Sequence, residues 1–233
     1  MSQSKNEVSG FLAELASEAT QKLEEKRARQ QDRHTMTQNV NSALERTFNF
    51  FNLFTKHLNA LEPEVPRIYA LDGKTQFSRI QWKSGMAEYR KQSIADNALM
   101  DHVYFQVRLS IPESITLIRR WEQFEETKKD LDAYGLKTLE DMHELWRNRS
   151  QKVNFQVTLE PEFIVWMRFS GNYAEGVVDI DSNNLNGFGG LKGRLNPELL
   201  QMNMLDGIGR FLMGRAGALP QELGLVRDIS RGR

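Results

Sequence analysis

The chain has 233 residues, enough for one large domain or two small ones, and its 31 Lys+Arg against 31 Asp+Glu leave no formal net charge. That balance excludes a histone-like polycation, whose hold on nucleic acid needs a large basic excess. The absence of cysteine excludes disulfides, thiolate metal sites and cysteine nucleophiles, and 39% apolar residues with 13 Phe exclude global disorder.

Residues 1–61 are predicted as helix: no proline precedes Pro63, Gly10 is the one glycine, and good helix formers dominate. The prediction divides this helix. Phe11, Leu12, Leu15, Ala19 and Leu23 form a short apolar stripe, whereas Glu24 to Asn39 is polar on nearly every face. The stripe returns at Val40, Leu44, Phe51, Phe54, Leu58 and Leu61, widened by Phe48, Phe50 and Leu53, which is too apolar for a free surface helix. Residues 40–61 are therefore expected to carry the sheet, while 5–36 project and pair with another copy or a partner.

Pro63 and Pro66 end the helix. Arg67–Leu71 and Phe77–Lys83 flank Asp72-Gly73, a hairpin signal, and Ser84-Gly85 reads as a further turn before a strand over 86–92. Val103, Phe105, Val107, Leu109 and Ile111 alternate with Tyr104, Gln106, Arg108 and Ser110, the pattern of a half-buried antiparallel strand. Pro112 is read as the first residue of a helix running to Tyr134 and stopped by Gly135, and Thr138 to Asp141 as the cap of a short helix to about Asn148.

Strands follow at 153–159, 163–169 and 173–180, the second apolar on both faces and hence central. A glycine-rich edge segment covers 188–195, and Asn196-Pro197 caps a helix to Gly214. The fold class expected is α+β: antiparallel sheet covered by helices, with a long helical N-terminal arm. It divides into an arm and core helix (1–61), an α+β domain with three helices (62–214) and a basic, loosely ordered tail (215–233). The V-x-F-Q-V strings at 103–107 and 153–157 are too short, and too ordinary for strands, to mark a duplication.

Charge is uneven along the chain. Residues 151–182 carry Lys152 and Arg168 against five acids, net −3, and residues 183–233 carry seven basic residues against four acids, net +3. Such segments can pair within a chain or between copies. No apolar run approaches the ~20 residues of a membrane helix, and no signal-peptide pattern opens the chain, so no membrane partner is expected and a cytoplasmic location is.

Chemistry-bearing motifs are few. His143-Glu144 begins a zinc-protease helix, but Arg147 stands where the second histidine is needed. Asp179 and Asp181, two apart on one strand face, are a weak metal candidate without the glycine and glutamate of a calcium loop. Gly189, Gly190, Lys192, Gly193 and Arg194 are a weak phosphate candidate: glycines expose backbone N–H groups, but the P-loop spacing is absent. No serine elbow or Asp–His pair suggests a triad, and no cofactor is expected. The favoured function is a non-enzymatic binding or assembly protein, a homodimer or a binder of a protein partner, with Phe11, Leu15, Leu23, Val40 and Leu44 at the interface. Two alternatives stand beside it. One is a nucleic-acid or phosphate module using the C-terminal basic residues, including Lys192, Arg194, Arg210, Arg215, Arg227, Arg231 and Arg233. The other is a small-ligand or enzymatic pocket between sheet and helices.

Overall fold

The computed structural model describes residues 4–95, 97–149 and 153–228; the side chains of residues 4–9 and of Phe11 lie outside that description, as do Lys152, Arg231 and Arg233. Two compact units are present, Met1–Asn39 and Val40–Arg233, with the boundary inside the first helix, α1 (Ser4–Leu61). The fold is α+β, with antiparallel sheet and a long N-terminal helix.

After α1 the strands β1 (Glu64–Val65), β2 (Tyr69–Ala70), β3 (Gln76–Phe77), β4 (Ile80–Lys91) and β5 (Met100–Ser110) precede an inserted layer. That layer holds β6 (Ile115–Arg120), α2 (Phe124–Tyr134), α3 (Met142–Arg147) and β7 (Asn154–Leu159). The chain then returns as β8 (Glu162–Asn172), β9 (Val177–Asn183), β10 (Gly190–Leu195), α4 (Met202–Leu212) and β11 (Val226–Arg227). The main sheet has seven strands in the order β1-β4-β5-β8-β9-β10-β11, every pair antiparallel.

Alternation decides which face is buried. Val103, Phe105, Val107 and Leu109 of β5 stand beside Phe169, Met167, Val165 and Phe163 of β8, and none is more than 3% exposed. Residues 40–61 of α1 cover this face: Phe51 stacks on Phe105 at 4.3 Å between ring centroids and tilts against Phe169 at 5.8 Å. Trp166 belongs to the opposite face, in register with Gln106 and Asn183, so the central strand buries its two faces unequally.

Four sequence expectations need correction. Asn196-Pro197 caps only a 3-10 turn over Pro197–Leu199, and α4 begins at Met202 behind Gln201. The helix expected from Pro112 does not start there: Ile115–Arg120 is a strand paired with β7, and helix begins only at Phe124, after a 3-10 turn over Trp121–Gln123. Leu117 is 1% exposed and its neighbour Ile118 is 60%, the two-residue period of a strand. Ser84-Gly85 is no turn, because β4 runs through it with a shift of register between Trp82 and Ser84. Nor is 215–228 a loose tail: Leu223 is buried and β11 pairs with β10.

The Asp72-Gly73 hairpin forms as read, closed by the Asp72 carboxylate accepting from the Lys74 N–H at 2.7 Å and the Thr75 N–H at 2.6 Å. Partial burial works against the charge, but these two bonds and the Arg119 guanidinium outweigh it and hold the carboxyl below its ordinary pKa.

Candidate interaction surfaces

Helix residues 12–36 bury nothing in this chain. Every side chain in that stretch is exposed, including Leu12 (58%), Leu15 (44%), Leu23 (55%) and Met36 (37%). Its charges are sorted. Residues 12–25 carry Glu14, Glu18, Glu24 and Glu25 against Lys22, net −3, whereas residues 26–39 carry Lys26, Arg27, Arg29 and Arg33 against Asp32, net +3. Glu18–Lys22 and Glu25–Arg29 have the i,i+4 spacing that supports an exposed helix by a few tenths of a kcal/mol each, and the order of charge suits the helix dipole. Those terms help a helix persist but do not give Leu12, Leu15 and Leu23 a reason to be apolar.

Of the five residues assigned to the interface, Leu15 and Leu23 are exposed and the Phe11 side chain lies outside the described residues. Val40 and Leu44 are corrected: both are 0% exposed, packed in the chain's own core, and have no surface to offer a partner.

The glycine-rich segment is built into the sheet. Gly189 has φ +120°, a conformation that favours glycine, and its N–H donates to the Asn184 side chain at 3.1 Å. Gly190 and Gly193 lie in β10, between β9 and β11. At Gly193 a Cβ would stand 2.7 Å from the Leu225 side chain and 2.9 Å from the Leu223 carbonyl oxygen, so close packing of the 221–227 segment accounts for this glycine. Lys192 pairs with Asp228 at 3.1 Å, and Arg194 pairs with Asp179 at 2.8 Å and Glu175 at 2.5 Å. The basic side chains of this segment are thus matched by acids of the same chain.

Asp179 and Asp181 do share a face, as their spacing requires, but each meets a guanidinium: Asp179 that of Arg194, Asp181 that of Arg168 at 2.9 Å. Among the described residues no three His, Asp or Glu are placed to hold a metal ion. The Arg168–Asp181 pair belongs to a cross-strand row in which Glu88, Tyr104, Arg168, Asp181 and Lys192 stand abreast on five strands, and Asp179 and Arg194 face each other in the row two residues along β9. Partial burial, with Glu88 nearby, pushes the Tyr104 phenol up. The acidic and basic segments of the sequence thus meet on one sheet face of one chain.

Two of the concavities among the described residues are lined by Phe or Trp rings. One, of about 690 Å³, lies beside the β6–β7 ladder and α3, with Trp121 and Phe155 on one side and Glu140, Asp141 and Glu144 on the other. The Trp121 Nε1 is buried there without an acceptor among the described residues, while Asp141 is occupied as the cap of α3. The other, of about 370 Å³, is an apolar groove between residues 50–58 of α1 and α4. Its floor is Phe50, Phe54 and Leu58. Leu53 (56% exposed) and Met202 (57% exposed) form its lips, and Asp206, Arg210 and Arg215 its polar rim. Gly209 lets the floor form, since a Cβ there would lie 3.0 Å from the Phe54 ring and 3.3 Å from that of Phe50.

Phe50, Leu53, Phe54 and Leu58 read in sequence as part of a covered helix and Arg210 and Arg215 as part of a basic set; the fold brings them together. The signal available was glycine at 207 and 209 inside an otherwise apolar helix, which marks close approach of another element. The remaining histidines do not assemble a site: His34 and His57 are exposed, and His102 sits against its neighbour Asp101 at 2.8 Å. Comparison with protein-family models, with curated proteins and with solved structures finds no match, so the chain's own surfaces carry the functional reading.

Proposed function

We propose that this chain is a non-enzymatic assembly protein that self-associates as a homodimer through its N-terminal helix. The observation that carries the reading is the exposure of Leu12, Leu15 and Leu23 on a helix whose residues 12–36 bury no side chain. Burying one leucine side chain is worth roughly 1.5–3 kcal/mol, and a helix face carrying three has that much to gain from a partner. Helix formation adds to the argument, because most helical stability in proteins comes from packing an apolar face rather than from propensity.

The reading is tested by light scattering on the eluting full-length protein and on the variant Leu15→Glu/Leu23→Glu. The wild type is expected at twice the chain mass and the variant at the chain mass, with unchanged tryptophan fluorescence because all four Trp lie between residues 82 and 166. A wild type that elutes at the chain mass overturns the proposal, as does a variant that stays dimeric.

A further inference from the structure

A stripe that pairs needs a receiving surface, and the groove between residues 50–58 and α4 has the complementary properties. We infer that this groove receives the stripe Leu12–Leu15–Ala19–Leu23 of a second copy, a conclusion that rests on the self-association proposed above.

Shape supplies the first argument. A floor of Phe and Leu with a methionine lip is the usual receptor for one apolar helix face, because aromatic rings give area and the thioether adapts to what is inserted. Leu53 and Met202, both more than half exposed, stand where the incoming leucines would cover them. The spacing of the stripe, residues 12, 15, 19 and 23, is the three-and-four pattern that such a groove reads.

Charge supplies the second. The rim carries Arg210 and Arg215 against Asp206, a formal excess of one positive charge. Asp206 already binds Arg210 at 2.6 Å, and Arg215 forms no ion pair among the described residues. The segment bearing the stripe is net −3, and Glu14, Glu18 and Glu25, spaced four and seven apart, line one face of it. The basic half of the same helix, residues 26–39, would instead meet like charge at this rim. The sign of the rim therefore selects residues 12–25 as the occupant.

Reciprocity supplies the stoichiometry. Each copy has one stripe and one groove, so two copies can make the contact twice in a closed two-fold dimer.

The native chain has no cysteine, which makes the contact directly testable. Leu15→Cys protein mixed with Met202→Cys protein is expected to give an intermolecular disulfide under mild oxidation, whereas Leu15→Cys mixed with Ile94→Cys, an exposed control, is not. In parallel, Arg210→Glu/Arg215→Glu is expected to weaken the dimer about tenfold, the effect of losing one ordinary interface contact, and Glu14→Arg/Glu18→Arg to restore it. These residues are exposed, so the changes leave the core intact. If Leu15→Glu/Leu23→Glu abolishes the dimer while the rim reversals leave it unchanged and no 15–202 crosslink forms, the stripe pairs elsewhere: this inference fails and the self-association stands. A monomeric wild type removes both.

Discussion

Asn59 shows how residues 40–61 are fastened to the sheet, and its removal has a calculable cost. Its Oδ1 accepts from the Trp82 indole Nε1–H at 2.9 Å and from the Gly85 N–H at 2.7 Å, and its Nδ2 donates to the Gly85 carbonyl at 2.8 Å. Trp82 is 1% exposed, so in Asn59→Ala its indole N–H is left buried without an acceptor, a penalty of about 1–3 kcal/mol. Gly85 is half-buried at the irregular part of β4, and water can take over its two groups, so their loss adds only about 1 kcal/mol. The expected total is about 2–4 kcal/mol. Asn59→Asp keeps both acceptor bonds and loses the donor, and should cost about half as much. Urea unfolding followed by tryptophan fluorescence reads the difference as a midpoint lowered by about 1 M, at slopes usual for chains of this size. If alanine and aspartate are indistinguishable, or alanine costs less than about 0.5 kcal/mol, Trp82 finds another acceptor and the helix is not held at this point.

Gly85→Ala should cost about 1–3 kcal/mol by the same assay even though alanine ordinarily loses less entropy in a strand. Its Cβ would stand 2.5 Å from the Trp82 ring and 2.9 Å from Thr55 Cγ2, and Asn59 prevents the indole from moving away; a neutral variant would refute that rigidity. Phe105→Ala should cost about 3–5 kcal/mol, since the ring is 0% exposed and stacks on Phe51, and a loss under about 1 kcal/mol would contradict its place in the core. Tyr173 donates to the Met100 carbonyl at 2.6 Å, and burial, with Asp101 and Glu45 nearby, pushes its phenol up to about 12. A folded pKa above the unfolded value near 10 stabilises the chain fully below pH ~10, and that contribution is lost as pH rises toward 12. Tyr173→Phe should therefore flatten the alkaline fall of the urea midpoint between those values, and an unchanged pH profile would remove the assignment. Finally, under the proposed pairing, ellipticity at 222 nm should rise with protein concentration while tryptophan fluorescence does not, because a partner would stabilise the N-terminal helix and every Trp lies outside it. Ellipticity per residue that is independent of concentration across the monomer–dimer transition would contradict it.

What was legible in the sequence is what two-residue and 3.6-residue periods encode. Val103 to Leu109 declared both a strand and its buried face, and Phe51, Phe54 and Leu58 declared a covered helix. The 112–120 segment misled because Pro112 and Glu113 look like a helix start, and Ile115, Ile118 and Trp121 recur at the three-residue spacing of a helix as readily as Ile115 and Leu117 do at the two-residue spacing of a strand. The β-branched Ile115, Thr116 and Ile118 favoured a strand, but the partner that decides it, β7, lies 39 residues downstream when counted from Ile115 to Asn154. The candidate sites failed for a related reason. Arg194, Asp179 and Asp181 look available when read one segment at a time, and only the antiparallel register of β8, β9 and β10 sets Arg194 beside Asp179 and Arg168 beside Asp181. Charge pairing between strands is invisible until register is known.

The two parts of α1 differ in how their apolar residues are arranged. Between Val40 and Leu61 the apolar residues lie on several faces because sheet and α4 cover several sides, so Phe51 meets Phe105 and Phe169 while Phe50 and Phe54 meet Gly209. Between Leu12 and Met36 a single narrow stripe is set among sorted charges, the composition of a surface that one neighbour covers from one side. In the proposed pairing a stripe this narrow gives little area, so specificity would have to come from charge: an acidic segment at 12–25 and a basic one at 26–39 disfavour parallel in-register pairing, which would set like against like along the whole length. Both a groove with a positive rim and an antiparallel neighbour satisfy that constraint. Only the groove also covers Leu53 and Met202, which otherwise stay in water beside an apolar floor.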